Sequence, residues 1–222
     1  MKNYDWKKYN LKRSLIAKKI VEFNKKNKFN FLEKKPYNHI RDIFCLSIVT
    51  LKKSKRLKVL DYGSNVISLS NIKNKINTNE YKFFIYDPFE KNKKTSLKPL
   101  KYEIINNESD IKKVHFDIIN FGSSIQYIYD LKRLSKIINF SKTYRIIITH
   151  TPITLKKEFI TKQSNHKNLK QIIYNYDYLQ SFFKKKKFKL IFKSRNENMY
   201  TASLKNKSST FSLNLIFDKI YD

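Results

Sequence analysis

The chain holds two glycines, four prolines and one cysteine in 222 residues. The single cysteine, Cys45, cannot close an internal disulfide. Inside Ile43-Phe44-Cys45-Leu46 it is expected to be a buried, inert thiol. No apolar run approaches the roughly 20 residues that a membrane-crossing helix needs. The segment Met1–Lys8 has no apolar stretch of the kind a signal peptide carries. Together these absences set the expectation of a cytoplasmic protein. The patterns GxxxxGK[ST], GxSxG, HExxH and paired CxxC are missing, so the chemistries tied to them are not expected. His39, His115 and His166 stand alone, without metal-ligand spacing, and no metal is expected.

Acidic residues are also scarce. Asp and Glu total 18 against 48 Lys and Arg, a formal net charge of +30. Such a balance attracts nucleic acid or an anionic membrane surface. A compositional cause competes with that reading. Lys, Asn, Ile, Phe and Tyr are abundant while Gly, Ala and Pro are rare, as an AT-rich genome would impose, and the lysines spread along the whole chain. Nucleic acid is therefore not the favoured partner, and peripheral contact with an anionic membrane is a secondary expectation. The run Lys184–Lys187 fits the solvated end of a helix, where cations suit the dipole; an anion site there is the alternative.

The two glycines stand at equivalent places. Gly63 closes the apolar run Leu57–Tyr62, and Gly122 closes Phe116–Phe121. A sequence that avoids glycine keeps it where φ is positive or where backbone must approach a ligand. Two such points at two strand ends suggest a crevice at the carboxyl edge of an open α/β sheet.

Around these points short apolar runs alternate with helical spacing. Strands are expected at Leu57–Tyr62, Tyr81–Asp87, Lys101–Ile105, Phe116–Phe121, Tyr144–Thr149, Phe188–Phe192 and Phe211–Phe217. Helices are expected at 37–53, Val66–Ile76, Ile125–Ile138 and Tyr176–Lys186, with a basic amphipathic helix in residues 3–27. Alternating strands and helices argue for parallel βαβ units. The last two strands have no helix between them and suit an antiparallel hairpin.

This element order over about residues 57–218 resembles the class I S-adenosylmethionine-dependent methyltransferases. The matching motifs are Val59–Asn65, Ile85-Tyr86-Asp87-Pro88 and Phe116–Ser124. Within that family, the stretch Ser123–Asp130 followed by Ile146–Pro152 is similar to putative methyltransferases of bacterial surface-polysaccharide gene clusters. Gln163 and Asn175 stand at comparable places, and His150 takes the usual arginine position. The resemblance implies an α/β, Rossmann-like, seven-stranded, mostly parallel sheet with helices on both faces and an antiparallel terminal strand. It implies S-adenosylmethionine as cofactor, held by Asp61, Tyr62, Gly63, Ser64, Asp87, Gly122, Ser123 and Ser124. It places a small-molecule acceptor, a sugar or sugar-linked intermediate, near Gln126, Tyr127, Thr151 and Gln163; His150, expected just after the end of the fifth strand, is the candidate base or substrate contact. The sequence departs from the family at Asn65 and Ile67, where glycine is common. A nucleic-acid methyltransferase and a non-catalytic binding protein on the same scaffold are the alternatives. The expected division is a basic helical segment at 1–36 and a methyltransferase-like domain at 37–222.

Overall fold

The structure is a computed structural model that describes residues 39–51, 56–70, 72, 75–88, 97, 100–163, 166–196 and 210–221. The expected helical segment at 1–36, the boundary after it, and the side chains of His39 and His166 lie outside the described residues. Five strands run parallel in the order β3-β2-β1-β4-β5: β1 (Leu57–Tyr62), β2 (Tyr81–Tyr86), β3 (Lys101–Ile105), β4 (Ile118–Gly122) and β5 (Arg145–Thr154). The strand β9 (Thr210–Lys219) lies antiparallel to β5, and β8 (Phe188–Asn196) lies antiparallel to β9. The expected antiparallel terminal strand is thus present, seated between β5 and β8.

The sheet has nine strands, not seven. The two additions are β6 (Phe159–Gln163) and β7 (His166–Asn175), an antiparallel hairpin between β5 and the following helix. The strand β5 also runs five residues past Thr149, with a bulge between Ile148 and Thr151, and takes Pro152 into its pairing with Ser212. Its last two residues, Ile153 and Thr154, pair with Tyr174 and Asn175 of β7. That pairing begins beyond Gly122↔Thr149, where β4 leaves off. The hairpin therefore enters the sheet just past the end of β4.

Among the described residues five helices cover the faces: α1 (His39–Val49), α2 (Val66–Ser70), α3 (Glu108–Ile111), α4 (Leu131–Ile137) and α5 (Tyr176–Lys184). Successive strand residues point to opposite faces, and both faces are dry. Val59, Ile118 and Ile147 pack with Phe44 and Ile48 of α1 and Val66 and Leu69 of α2. Leu60, Ile119, Ile146 and Ile148 pack with Ile111, Leu134, Leu179 and Phe183 of the other three helices. Within Val66–Ile76 the helix among the described residues is α2, and Ile125–Ile138 divides into a 3₁₀ turn (Ile125–Tyr127) and α4. Between them Ile128 is extended and Asp130 accepts the Lys132 N–H at 2.8 Å, a side-chain cap that starts a new helix.

Arg145, only 5 % exposed, locks α1 onto the sheet. Its guanidinium makes a two-pronged pair with Asp218 of β9, at 2.6 and 2.7 Å. It also donates to Thr50 Oγ1 at 2.7 Å and to the Ser47 carbonyl. Arg145→Ala is expected to cost about 3 kcal/mol of stability in urea unfolding, because it strands a partly buried carboxylate and two acceptors at the end of α1. Arg145→Lys should recover less than half of this, since an ammonium cannot reproduce the fork. A loss below about 1 kcal/mol for Arg145→Ala would contradict this role.

Candidate functional site

The order β3-β2-β1-β4-β5 reverses direction between β1 and β4, the place where an open α/β sheet forms its ligand crevice. On the α1/α2 face the apolar level of Val59 and Ile118 gives way, two residues on, to Asp61 and Asn120, which are directly paired in register. Both are buried, and Asn120 Nδ2 donates to Asp61 Oδ1 at 2.7 Å. Buried carboxylates persist only where donors replace water, and here the donor comes from the neighbouring strand. Asp61 does not cap α2; Asn65 does, accepting the Ser68 N–H at 2.9 Å. Asn120 was not among the expected site residues, and only strand register places it against Asp61.

Gly63 follows with φ +74°, and a Cβ there would lie 2.4 Å from Ser124 Cβ. Ser124 Oγ donates to the Tyr62 carbonyl at 2.7 Å. The turn after β1 is thus packed against the turn after β4, and glycine is required for both its conformation and this contact. The Gly63 and Ser64 N–H groups donate to the Tyr86 carbonyl, at 2.6 and 3.3 Å. This fastens the turn to the end of β2, where half-buried Asp87 follows. Gly122 has no positive φ. A Cβ there would meet Asn120 Nδ2 at 3.2 Å and Thr149 Oγ1 at 3.7 Å. The space above it is lined by an amide and a hydroxyl.

The left-handed conformation expected of a glycine after β4 falls instead on Ser123, with φ 57°. His150, in the β5 bulge, has φ 56°. The two are neighbours, because the Ser123 N–H donates to the Thr149 carbonyl at 2.9 Å. The His150 N–H donates to Asn214 Oδ1 at 3.0 Å. His150 is half-buried inside a strand, not at a strand end, while Thr151 is fully buried beside it.

The 3₁₀ turn carries the remaining expected residues, and the hairpin lies over it. Tyr127 OH donates to Gln163 Oε1 at 3.0 Å, joining two residues that the sequence places 36 positions apart. Tyr129 OH donates to the Lys170 carbonyl at 2.8 Å, and Tyr174 OH to the Ile128 carbonyl. Gln126 is fully buried, and neither atom of its amide has a hydrogen-bond partner among the described residues. The same holds for Gln171 of β7, for Ser123 Oγ, for Thr149 Oγ1 and for Asn120 Oδ1. Buried polar groups are normally paired, so unpaired atoms at the exits of β4 and β5 fit a polar ligand. Asn175 serves the fold: it caps α5 by accepting the Tyr178 N–H at 2.8 Å and donates to the Lys156 carbonyl at 2.9 Å.

Tyr62 points away from the crevice, its ring against Tyr86 and Phe121. Burial raises its hydroxyl well above the ordinary tyrosine range, and burial and then Glu108 push Tyr86 up to about 12. Neither phenol is a base at neutral pH. Tyr62 can meet a ligand only through its backbone.

No family profile and no curated protein matches the chain. Solved structures do. The methyltransferase acting at N1 of 1,6-didemethyltoxoflavin from Burkholderia thailandensis, with S-adenosylhomocysteine bound, is 8 % identical over 96 % of this chain and 90 % of its own, with a TM-score of 0.51. The N-terminal domain of EvdMO1 with S-adenosylhomocysteine bound is 6 % identical over 83 % of this chain and 82 % of its own, with a TM-score of 0.55. The fold is that of class I S-adenosylmethionine-dependent methyltransferases.

Gly63→Ala is expected to cost roughly 2–4 kcal/mol, combining a left-handed alanine with a clash against Ser124. Gly122→Ala, which displaces only the Asn120 amide by a few tenths of an ångström, should cost about 1 kcal/mol. Equal losses in chemical denaturation would contradict the tight contact of the two turns.

Proposed function

We propose that this chain transfers a methyl group from S-adenosylmethionine to a small-molecule acceptor. The observation that carries the reading is the convergence at one sheet edge of Asp61–Asn120, the Gly63 turn, Asp87 and the two left-handed residues Ser123 and His150. Backbone strain of this kind is kept where the surrounding structure enforces it, and it concentrates at functional sites. The fold shared with two proteins solved with S-adenosylhomocysteine supports the same reading.

In this proposal Asp87 accepts from the ribose hydroxyls, since a carboxylate can take two hydrogen bonds. The backbone of Tyr62–Ser64, with Asp61 beneath it, faces the amino-acid portion. Gly122, Ser123 and Ser124 bound the space near the methyl group. The cofactor supplies an electrophilic methyl on a sulfonium. The chain's part is to orient the acceptor in line and to exclude water. Gln126, Tyr127, Thr151 and Gln163 hold the acceptor beneath the hairpin, and His150 receives the acceptor's proton. The substrate class we favour is a sugar or sugar-linked intermediate of surface-polysaccharide synthesis. Its support is the Gln126-Tyr127 and Thr151-Pro152 pattern and the unpaired amide of Gln126, which suits a ligand rich in hydroxyls.

One observation favours a second reading, a binding protein that has lost catalysis. The Gly63 and Ser64 N–H groups already serve the Tyr86 carbonyl and are not offered to a ligand.

Calorimetry with S-adenosylhomocysteine separates the two. The proposal predicts a micromolar Kd, about −8 kcal/mol. It also predicts that Asp87→Ala weakens binding by about 1–3 kcal/mol, while Asp117→Asn, before the other end of β4, leaves it within twofold. No heat at about millimolar ligand would reject the cofactor assignment. With an acceptor in hand, His150→Gln should lower turnover about 10²–10⁴-fold while sparing cofactor binding. An effect confined to KM would instead make His150 a positioning residue.

A further inference from the structure

On the edge of the sheet opposite the crevice lies an open cleft of about 530 Å³, lined by Lys112, Ser135, Asn139, Ser141, Lys186 and Lys219 around Ile138 and Phe140. Its volume is within the range of small-ligand sites. The three lysines come from separate elements: the end of α3, the turn after α5, and the end of β9. Among the described residues no carboxylate lines the cleft and none of the three lysines has an ion pair. The nearest acid in sequence to Lys219, Asp218, is committed to Arg145.

The ammonium groups are held by aromatic faces and carbonyls instead. Lys186 Nζ sits 5.4 Å from the Phe140 ring centre and 5.0 Å from that of Phe182. Lys219 Nζ sits 4.7 Å from the Phe188 ring centre and donates to the carbonyls of Phe140, at 3.3 Å, and Lys186, at 2.8 Å. These contacts place the two cations side by side and leave Lys219 one N–H to spare. Burial lowers both lysines below their ordinary range, and for Lys219 the charges of Lys187 and Lys186 add to this. The uncharged lining is biased the same way. Asn139 Oδ1 accepts from the Ser141 N–H at 3.0 Å and from its hydroxyl at 2.7 Å, so what Asn139 has left to offer is its amide donor.

Helix ends attract lysines, which accounts for Lys186 beside α5. The same holds for Lys112, which caps the end of α3; it does not account for Lys219 on a strand or for a cavity between the three. We propose that this cleft is a binding site for a phosphate-bearing anion, of which a pyrophosphate group is the best fit. Three point charges on one cleft, with the Asn139 amide and the Ser135 hydroxyl beside them, match a compact, acceptor-only polyanion. A phosphodiester strand, with one charge per residue, would call for a stripe. The site is independent of the methyl-transfer crevice, and its ligand could be free or carried on a larger phosphorylated molecule.

The test is titration of the full chain with inorganic pyrophosphate at low salt, with melting curves to confirm folding. Saturable one-to-one binding is expected. Lys186→Gln/Lys219→Gln should weaken it at least tenfold, while Lys58→Gln/Lys101→Gln, which removes the same charge from exposed strand positions, should change it less than twofold. Lys112→Gln, an exposed side chain, should weaken it severalfold and serves if the first pair fails to fold. A single-stranded oligonucleotide should bind with no special dependence on Lys186 and Lys219. Equal losses in the two double variants would reduce the cleft to diffuse charge and overturn the proposal. So would the absence of saturable pyrophosphate binding, or a tenfold loss seen only with the oligonucleotide.

Discussion

The hydrogen bond from Asn120 to Asp61 is the contact on which the carboxyl edge of the sheet depends. It joins β1 to β4 at the reversal of strand order and satisfies a carboxylate that has no exposure to water. Replacing either residue by an apolar one leaves the other buried without its partner, a costly arrangement. With the two strands fixed there, the turns beyond them are brought so close that only glycine fits at position 63 against Ser124. The Ser124 hydroxyl and the Tyr86 carbonyl then tie those turns to each other and to β2. One polar contact at the seam thereby sets the positions of three strand exits.

The hairpin β6–β7 builds the other wall. Among the described residues it pairs with β5 through Ile153 and Thr154, Ile172 and Tyr174 of β7 pack into the core, and tyrosines reach between it and the turn after β4. Each of these bonds ends on a backbone carbonyl or on Gln163. The buried amides of Gln126 and Gln171 sit on the two elements that these bonds join. The strain at Ser123 and His150 lies at the foot of the same wall.

Much of this was readable in the residues. The five parallel strands, the antiparallel β9, the exits after Asp61, Asp87 and Gly122, and the terminal helix Tyr176–Lys184 all follow from apolar runs and their spacing. The hairpin did not, because Phe159–Asn175 mixes lysines with apolar residues and contains neither glycine nor proline to mark a turn. The extension of β5 was hidden by Pro152, which argues against a strand interior. The pairing of Asp61 with Asn120 depends on register between strands 59 residues apart, which periodicity within each strand cannot supply. Scarce glycine marked the turns after β1 and β4, yet of the two only Gly63 has a positive φ; after β4 a serine takes that conformation one position later.

The central claim is that the seam between β1 and β4 forms one edge of a site for S-adenosylmethionine. A crystal structure of the full chain grown with S-adenosylhomocysteine tests it most directly. The account predicts the ligand across the carboxyl ends of β1, β2 and β4, with its ribose against Asp87, its amino-acid end above Asp61–Asn120 and its sulfur toward Gly122. A ligand bound elsewhere, or crystals that stay empty at saturating ligand with this edge accessible to solvent, would contradict it.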